Sequence, residues 1–366
     1  VSVKAPETAP DEALRLRVEY SAVFDDPFPE TPANTDNPGF GVTGIVGEKG
    51  VFLLSGAGWY PSFPAVSSRF SITVDAPEGM VAVTAGRSAG RRSAGGRTLS
   101  FWEVNRATEG ISLSAGDYEV TEDEAGGIQV ATYFTSETQA LSGRYIAAVK
   151  RYLSLYTDLF GPYPFEKFAV VENFFPTGYG FASYTLMGGT VLRLPFIIDT
   201  SLGHEVAHCW WGNGVRVDHS SGNWSEGLTT YVADYLYKEK ESPAAAEAYR
   251  RQWLRNYAAL VDEGGGFPLS EFVRRKDRVS KVIGYDKSAM VFHMLRQILG
   301  EEAFWGGLRD VYTEKRFQKA SWEDFRLAFE ARAGRGPCCT LEEFFDQWIR
   351  RPGAPTRATR RRTSPR

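Results

Sequence analysis

The apolar positions of this chain change their period once. In the first third they alternate. Leu14-Arg15-Leu16-Arg17-Val18-Glu19-Tyr20 and Phe70-Ser71-Ile72-Thr73-Val74 put every second side chain on one face, as a half-buried strand does. Thr98–Val104, Gly110–Ala115 and Ile128–Tyr133 read the same way, with turn residues between them. Gly86–Arg97 is rich in Gly, Ser and Arg and predicts an exposed hairpin loop, and Asn34–Gly39 predicts another loop. Short strands at this spacing predict a sandwich or a large curved sheet. None of these strands carries a catalytic constellation.

Beyond Thr135 the period lengthens. Leu141, Tyr145, Ala148, Val149, Tyr152, Tyr156 and Leu159 recur every three or four positions, which predicts an amphipathic helix over 137–160 closed by Gly161-Pro162. Lys167–Val171 predicts a strand, and Phe174–Gly189 a Gly- and aromatic-rich loop or edge strand. Asp199-Thr200-Ser201 offers oxygens to cap a helix carrying His204. A second helix starts near Trp224, and further helices are expected at about 244–262, 285–299, 301–314, 321–333 and 340–350. Pro352-Gly353-Ala354-Pro355 then ends the order. The expected organisation is α+β: a β-rich domain over 1–134, a mainly helical domain over 135–350, and a basic, disordered tail over 351–366.

Composition changes this picture little. Aromatic residues at 14% are numerous, so large rings are expected to fill a core and line a groove. The formal charge of −3 hides seven arginines in Arg350–Arg366, which leaves the rest acidic and gives no reason to expect a nucleic-acid partner. No apolar run approaches the ~18 residues of a membrane span. The chain starts at Val1 without Met or a leader pattern; both a cytoplasmic and a processed extracytoplasmic location fit, and the compartment stays open. Cys209, Cys338 and Cys339 are an odd set with an adjacent pair, which is no disulfide framework. Cys209 follows His208 directly, so on a helix it points away from the imidazoles and is expected to be an inert, buried thiol.

The chemistry concentrates in Gly203-His204-Glu205-Val206-Ala207-His208. At ~3.6 residues per turn, histidines four apart face the same way and can reach one ion. His-Glu-x-x-His on a helix is among the more specific short signatures of a zinc hydrolase. One zinc per chain is therefore expected, with His204 and His208 as ligands and Glu205 as general base for an attacking water. A catalytic zinc takes a third protein ligand. A third histidine six residues after His208 is ruled out, because that position is Gly214. Glu226 on the next helix is the better candidate, with Asp218 and Asp234 as rivals. The oxyanion needs one more donor, which a tyrosine or a histidine would supply. Tyr179, Phe181 and Tyr184 either line a substrate pocket or pack in the core, His219 is expected in a loop near the site, and His293 in the core.

His204–His208, Trp210-Trp211-Gly212-Asn213 and Trp224-Ser225-Glu226-Gly227 together resemble the aminopeptidase-N family of zinc metallopeptidases. Gly284-Tyr285-Asp286-Lys287-Ser288-Ala289 is similar to the family's Tyr-Glu-Lys-Gly segment, Phe344–Trp348 matches a stretch near the end of its helical domain, and Gly58-Trp59-Tyr60-Pro61 fits its first domain. The resemblance implies an N-terminal all-β, saddle-like domain followed by a thermolysin-like catalytic domain. It implies that Glu226 is the third ligand and that Tyr285 stabilises the tetrahedral intermediate of peptide hydrolysis. It places substrate contacts near Gly178, Tyr179, Gly180 and Tyr184.

Three departures stand out. The 17 residues between His208 and Glu226 are one fewer than is usual in the family. The family's Gly-x-Met-Glu-Asn segment, whose Glu grips the substrate's amino terminus, should fall near Gly178, where Gly178–Tyr184 contains no carboxylate; Glu172 is the acid nearest in sequence. Family members commonly continue into further C-terminal domains. The expected activity is thus peptide-bond hydrolysis of a peptide or protein substrate, aminopeptidase-like. A zinc-containing peptide-binding scaffold without catalysis is the alternative, and a zinc hydrolase of non-peptide substrates a third reading.

Overall fold

A computed structural model of the chain describes residues 15–28, 41–62, 66–176, 178–261, 266–333 and 341–353. The loop at 34–39, the pair Cys338-Cys339 and the tail beyond 353 lie outside the described residues.

The first strands form two antiparallel sheets. β1 (Gly44–Gly47), β2 (Gly50–Leu53), β4 (Met80–Thr84) and β7 (Leu113–Asp117) pair in the order β1-β2-β7-β4, and β3 (Ser68–Pro77), β5 (Arg87–Ala94) and β6 (Arg97–Thr108) in the order β3-β6-β5. Alternation on β6 buries Trp102 and Val104. Two expectations are corrected. Gly86–Arg97 is no loop, because most of it is β5, hairpinned to β6. Its strand character was hidden since nearly all of it is exposed, so no hydrophobic alternation marks it. Conversely, Arg15–Tyr20 alternates yet forms no strand. Leu16 and Val18 stay 55% and 56% exposed, and Tyr20 donates its hydroxyl hydrogen to the Trp59 carbonyl at 2.5 Å. Alternation predicts a strand only where a sheet edge is there to receive it.

A five-stranded sheet follows, built from β8 (Glu119–Ala125), β9 (Ile128–Phe134), β10 (Lys167–Asn173), β11 (Gly178–Phe181) and β12 (Tyr184–Gly188) in the order β11-β12-β10-β9-β8. β9, β10 and β12 run parallel, while β8 and β11 are antiparallel edges. Every residue of β10 is buried because both sheet faces are covered. Phe168 and Val170 pack with the Ser142–Phe160 helix, while Ala169 and Val171 pack with Phe52, Val83 and Trp102 of the earlier strands. This sheet joins strands from both sides of residue 134. A division that leaves every sheet whole therefore falls between β7 and β8.

The remainder is mainly helical, with segments Ser142–Phe160, Ser201–Ala207, Ser225–Thr229, Pro243–Leu260, Ser288–Leu299, Glu301–Lys315 and Trp322–Ala333. Trp210, Trp211 and Trp224 are completely buried among them. The helix expected from 285 starts earlier, at Arg278, where Asp277 and Ser280 form a reciprocal capping box. No helix of the described residues is long and apolar enough to cross a membrane.

Candidate metal centre and cleft

Ser201–Ala207 carries His204, and His208 closes that helix. The expected side-chain cap does not form: Thr200 bonds the Phe196 carbonyl at 2.9 Å and Asp199 pairs with Arg151 at 2.8 Å. The next helix opens at Ser225, which places Glu226 in its first turn. Ligand atoms of His204, His208 and Glu226 all lie within 4.8 Å of one another. Glu226 Oε2 is 3.8 Å from His204 Nε2 and 3.4 Å from His208 Nε2. The shortened connection therefore still delivers Glu226 to the histidines.

The opposite ring nitrogens are held from outside. His208 Nδ1 lies 3.0 Å from the Trp211 carbonyl, an acceptor only, so Nδ1 carries a proton and Nε2 faces Glu226. His204 Nδ1 lies 3.1 Å from Asp234 Oδ2. Asp234 thus sits behind His204 rather than among the three. Asp218, the other rival, accepts from Ser220 N at 3.1 Å and Ser220 Oγ at 2.7 Å and caps a short turn. Two imidazole Nε2 atoms and a carboxylate, oriented from behind, are a donor set that fits a divalent transition metal.

The electrostatics agree. Burial opposes a charged His204, yet Asp234 and Glu226 outweigh it and hold its pKa well above the usual value. Burial also opposes a charged Glu226, but the two imidazoles keep its carboxyl far below the usual range. Glu205 is pushed up by burial. The Glu226 and Asp234 carboxylates thus draw positive charge to this point.

Glu205, Tyr285 and the three clustered residues line one cavity of about 870 Å³, together with Gly178, Tyr179 and Gly180 of β11. Tyr285 lies in a π-helical turn over Val282–Lys287, and burial and the Glu226 carboxylate push its phenol up, so it keeps its proton. Gly180 passes directly over Glu205, where a methyl group would overlap Oε2. Gly227 lets the Glu226 helix touch the Tyr285 helix, since a methyl group there would overlap Ser288.

Tyr184 is not among the residues lining that cavity: it is 1% exposed, bonds the Ser112 carbonyl at 3.1 Å, and borders a smaller neighbouring cavity with Phe181 and Asn213. Glu172 does not replace the missing carboxylate. It is buried and accepts hydrogen bonds from Thr135 N at 2.8 Å, Thr135 Oγ1 at 2.9 Å and Thr138 Oγ1. His219 is exposed and reaches the large cavity. His293 packs between Tyr231 and Tyr235, away from it. Cys209 is fully buried and its thiol is pushed up to about 12, which leaves it inert. The reading of the sequence missed the orienting role of Asp234 and the cations Arg274, Arg275 and Lys319 at the cavity wall.

Comparison with known proteins adds three findings. The family model described as the peptidase family M1 domain matches residues 198–348. Among curated relatives, aminopeptidase M1-B of Oryza sativa subsp. japonica is 24% identical over 326 residues, 80% of this chain and 35% of that protein. The thyrotropin-releasing hormone-degrading ectoenzyme of Rattus norvegicus is 26% identical over 241 residues, 58% of this chain and 22% of that protein. The chain spans about a third or less of these relatives' length. Among solved structures, a mutant M1 zinc metallopeptidase from Deinococcus radiodurans superposes with a TM-score of 0.70 at 20% identity, covering 87% of this chain and 75% of that one. The same Deinococcus enzyme bound to a Tyr-Ser-Ala substrate superposes at 0.68 with 19% identity, covering 87% and 74%.

Proposed function

We propose that this chain is a zinc enzyme of the aminopeptidase-N family of zinc metallopeptidases and that it hydrolyses peptide bonds in the cleft beneath β11. The observation that carries the reading is the convergence of His204, His208 and Glu226 in a cavity that Glu205 and Tyr285 also line. His204 Nε2, His208 Nε2 and a Glu226 oxygen would hold the zinc. When bound, zinc polarises the scissile carbonyl and brings the pKa of an attacking water towards about 7.

The chain's own residues do the rest. Glu205 takes the water's proton and passes it to the leaving amine. Tyr285 stays protonated because burial and Glu226 raise its pKa, so it remains a donor to the developing oxyanion. Asp234 and the Trp211 carbonyl hold the imidazoles with Nε2 inward. β11 is the sheet edge beside the site, and its glycines let an extended peptide approach and pair with it. The two-unit organisation belongs to the same proposal: a β-rich unit over 1–134 and a unit over 135–350 that carries the site, with β8 and β9 of the first stretch completing the sheet of the second.

Glu205→Gln tests this directly. Zinc content should remain near one per chain while turnover of a mixed peptide pool falls about 10²–10⁴-fold. Undiminished turnover would remove Glu205 from the mechanism. Peptide binding without cleavage by the unmodified, zinc-loaded protein would favour the scaffold reading.

A further inference from the structure

The helix that carries His204 is short, and tyrosines hold it from behind. Seven residues without a side-chain cap make a helix that is marginal alone and must be fixed by tertiary contacts. The Ser142–Phe160 helix supplies them. Its Tyr145, Tyr152 and Tyr156 are seven and four residues apart, which puts them on one face. Their hydroxyls donate to the carbonyls of Leu192 at 2.9 Å, Ile198 at 2.8 Å and Gly203 at 3.1 Å, in step along the segment that leads into the metal helix. The last of these carbonyls belongs to the residue before His204.

Tyr156 also reaches the other ligand-bearing helix. Its oxygen is hydrogen-bonded to the hydroxyl of Tyr237, on Leu236–Glu241, which continues the helix that opens beside Glu226. A phenol has one hydrogen, and the Gly203 carbonyl can only accept. Tyr156 therefore donates to Gly203, and Tyr237 donates to Tyr156. Gly203 admits this arrangement, because a methyl group there would overlap Tyr237 Oη and the Tyr152 ring. Asp234, one turn before Tyr237, bonds His204 Nδ1 at 3.1 Å. The two helices are thus tied at adjacent residues, once from the Gly203 carbonyl through Tyr156 to Tyr237 and once from the His204 ring to Asp234. A single tie would let the metal helix turn about it. Two ties, leaving the helix in different directions, fix its rotation and with it the direction of His204 Nε2. Neither Tyr156 nor Tyr237 is among the residues lining the 870 Å³ cavity, so both act through other residues.

We propose that Tyr156 and Tyr237 are positioning residues of the metal centre: their paired hydroxyls lock the His204 helix to the Glu226 helix and so set how tightly, and in what geometry, the cluster holds its ion. The inference rests on the zinc reading above and deepens it.

Phenylalanine removes one oxygen and keeps the ring, so the test is Tyr156→Phe and Tyr237→Phe in the full chain. The zinc Kd, measured by competition with a chelator, should rise about tenfold in each. The double variant should be no weaker than Tyr156→Phe, since both bonds are already gone there. With cobalt in place of zinc, the visible absorption band, which reports ligand geometry, should shift in both single variants. Tyr145→Phe is the control, because it loses the same kind of bond from the same helix far from the metal. It should keep the parental Kd and the parental band, whatever thermal stability it loses. Parental Kd and band in Tyr156→Phe and Tyr237→Phe would overturn the inference, as would an equal loss in Tyr145→Phe. Should Tyr156→Phe fail to fold, Tyr237→Phe decides by the same two readouts, since that ring is only partly buried. If the parent cleaved no peptide, the peptidase reading would fail and the metal measurements would still decide the inference. A parent that bound no zinc would overturn both.

Discussion

His204 and His208 face one site but are held differently, by a carboxylate and by a backbone carbonyl. A carboxylate behind an imidazole makes it a more basic ligand, so the two histidines are not equivalent. His293 shows the opposite environment. Burial and the nearby cations Arg250 and Arg296 depress its pKa to about 4, Glu239 works the other way, and the rings of Tyr231 and Tyr235 enclose it. The folded chain then refuses a proton that the unfolded chain accepts below its ordinary pKa of about 6.5. This site's contribution is constant at neutral pH and is lost as the pH falls from about 6.5 towards 4. In denaturant titrations, His293→Gln should differ from the parent by a constant amount above pH 7. Below pH 6 the difference should move in the variant's favour; a pH-independent difference would show that His293 is not held neutral.

The helices meet at the site through small residues and widened turns. Glu226 opens the α-helical segment Ser225–Thr229, which continues as a π-helical turn over Thr230–Tyr235. A π turn adds a residue to the helical count, which brings Asp234 round to the Glu226 side and lets both reach His204. No periodicity in the sequence announces that extra residue. Gly227, in contrast, is plain in the sequence, although its reason is tertiary: it allows contact with Ser288. Gly227→Ala should cost about 1–3 kcal/mol by overpacking, read in chemical denaturation. It should also lower turnover, because the helices of Glu226 and Tyr285 must move apart. Parental stability and turnover would mean that the contact relaxes freely.

At the scale of the whole molecule, one sheet is shared between two cores. β10 buries Phe168 and Val170 on the helical side and Ala169 and Val171 on the β side. Lys167 at its start reaches across to the Thr84 carbonyl and lies over the Trp102 ring at 4.3 Å. The metal group lies in the helical part, between helices whose packing it should tighten. Zinc at about 100 times its Kd would add about 2.7 kcal/mol of stability. The melting temperature should therefore fall by several degrees on chelation and recover with zinc, and Glu226→Ala should abolish most of that dependence. Melting that is indifferent to chelator would show that no ion occupies the cluster.

The sequence alone determined what depends on neighbours along the chain. The four-residue spacing of His204 and His208, the helix expected over 137–160, which forms from Ser142 to Phe160, and the alternation of β3 and β6 are local facts that any fold must respect. Tertiary structure decided what depends on partners. It left Arg15–Tyr20 without a strand, made β5 one by pairing it to β6, sent Tyr184 to the core, and gathered Arg274, Arg275 and Lys319 on one wall. The physical reason is the same in each case. Periodicity records which side of an element is apolar, whereas pairing, burial and the charge of a cleft are sums over residues that the chain brings together only by folding.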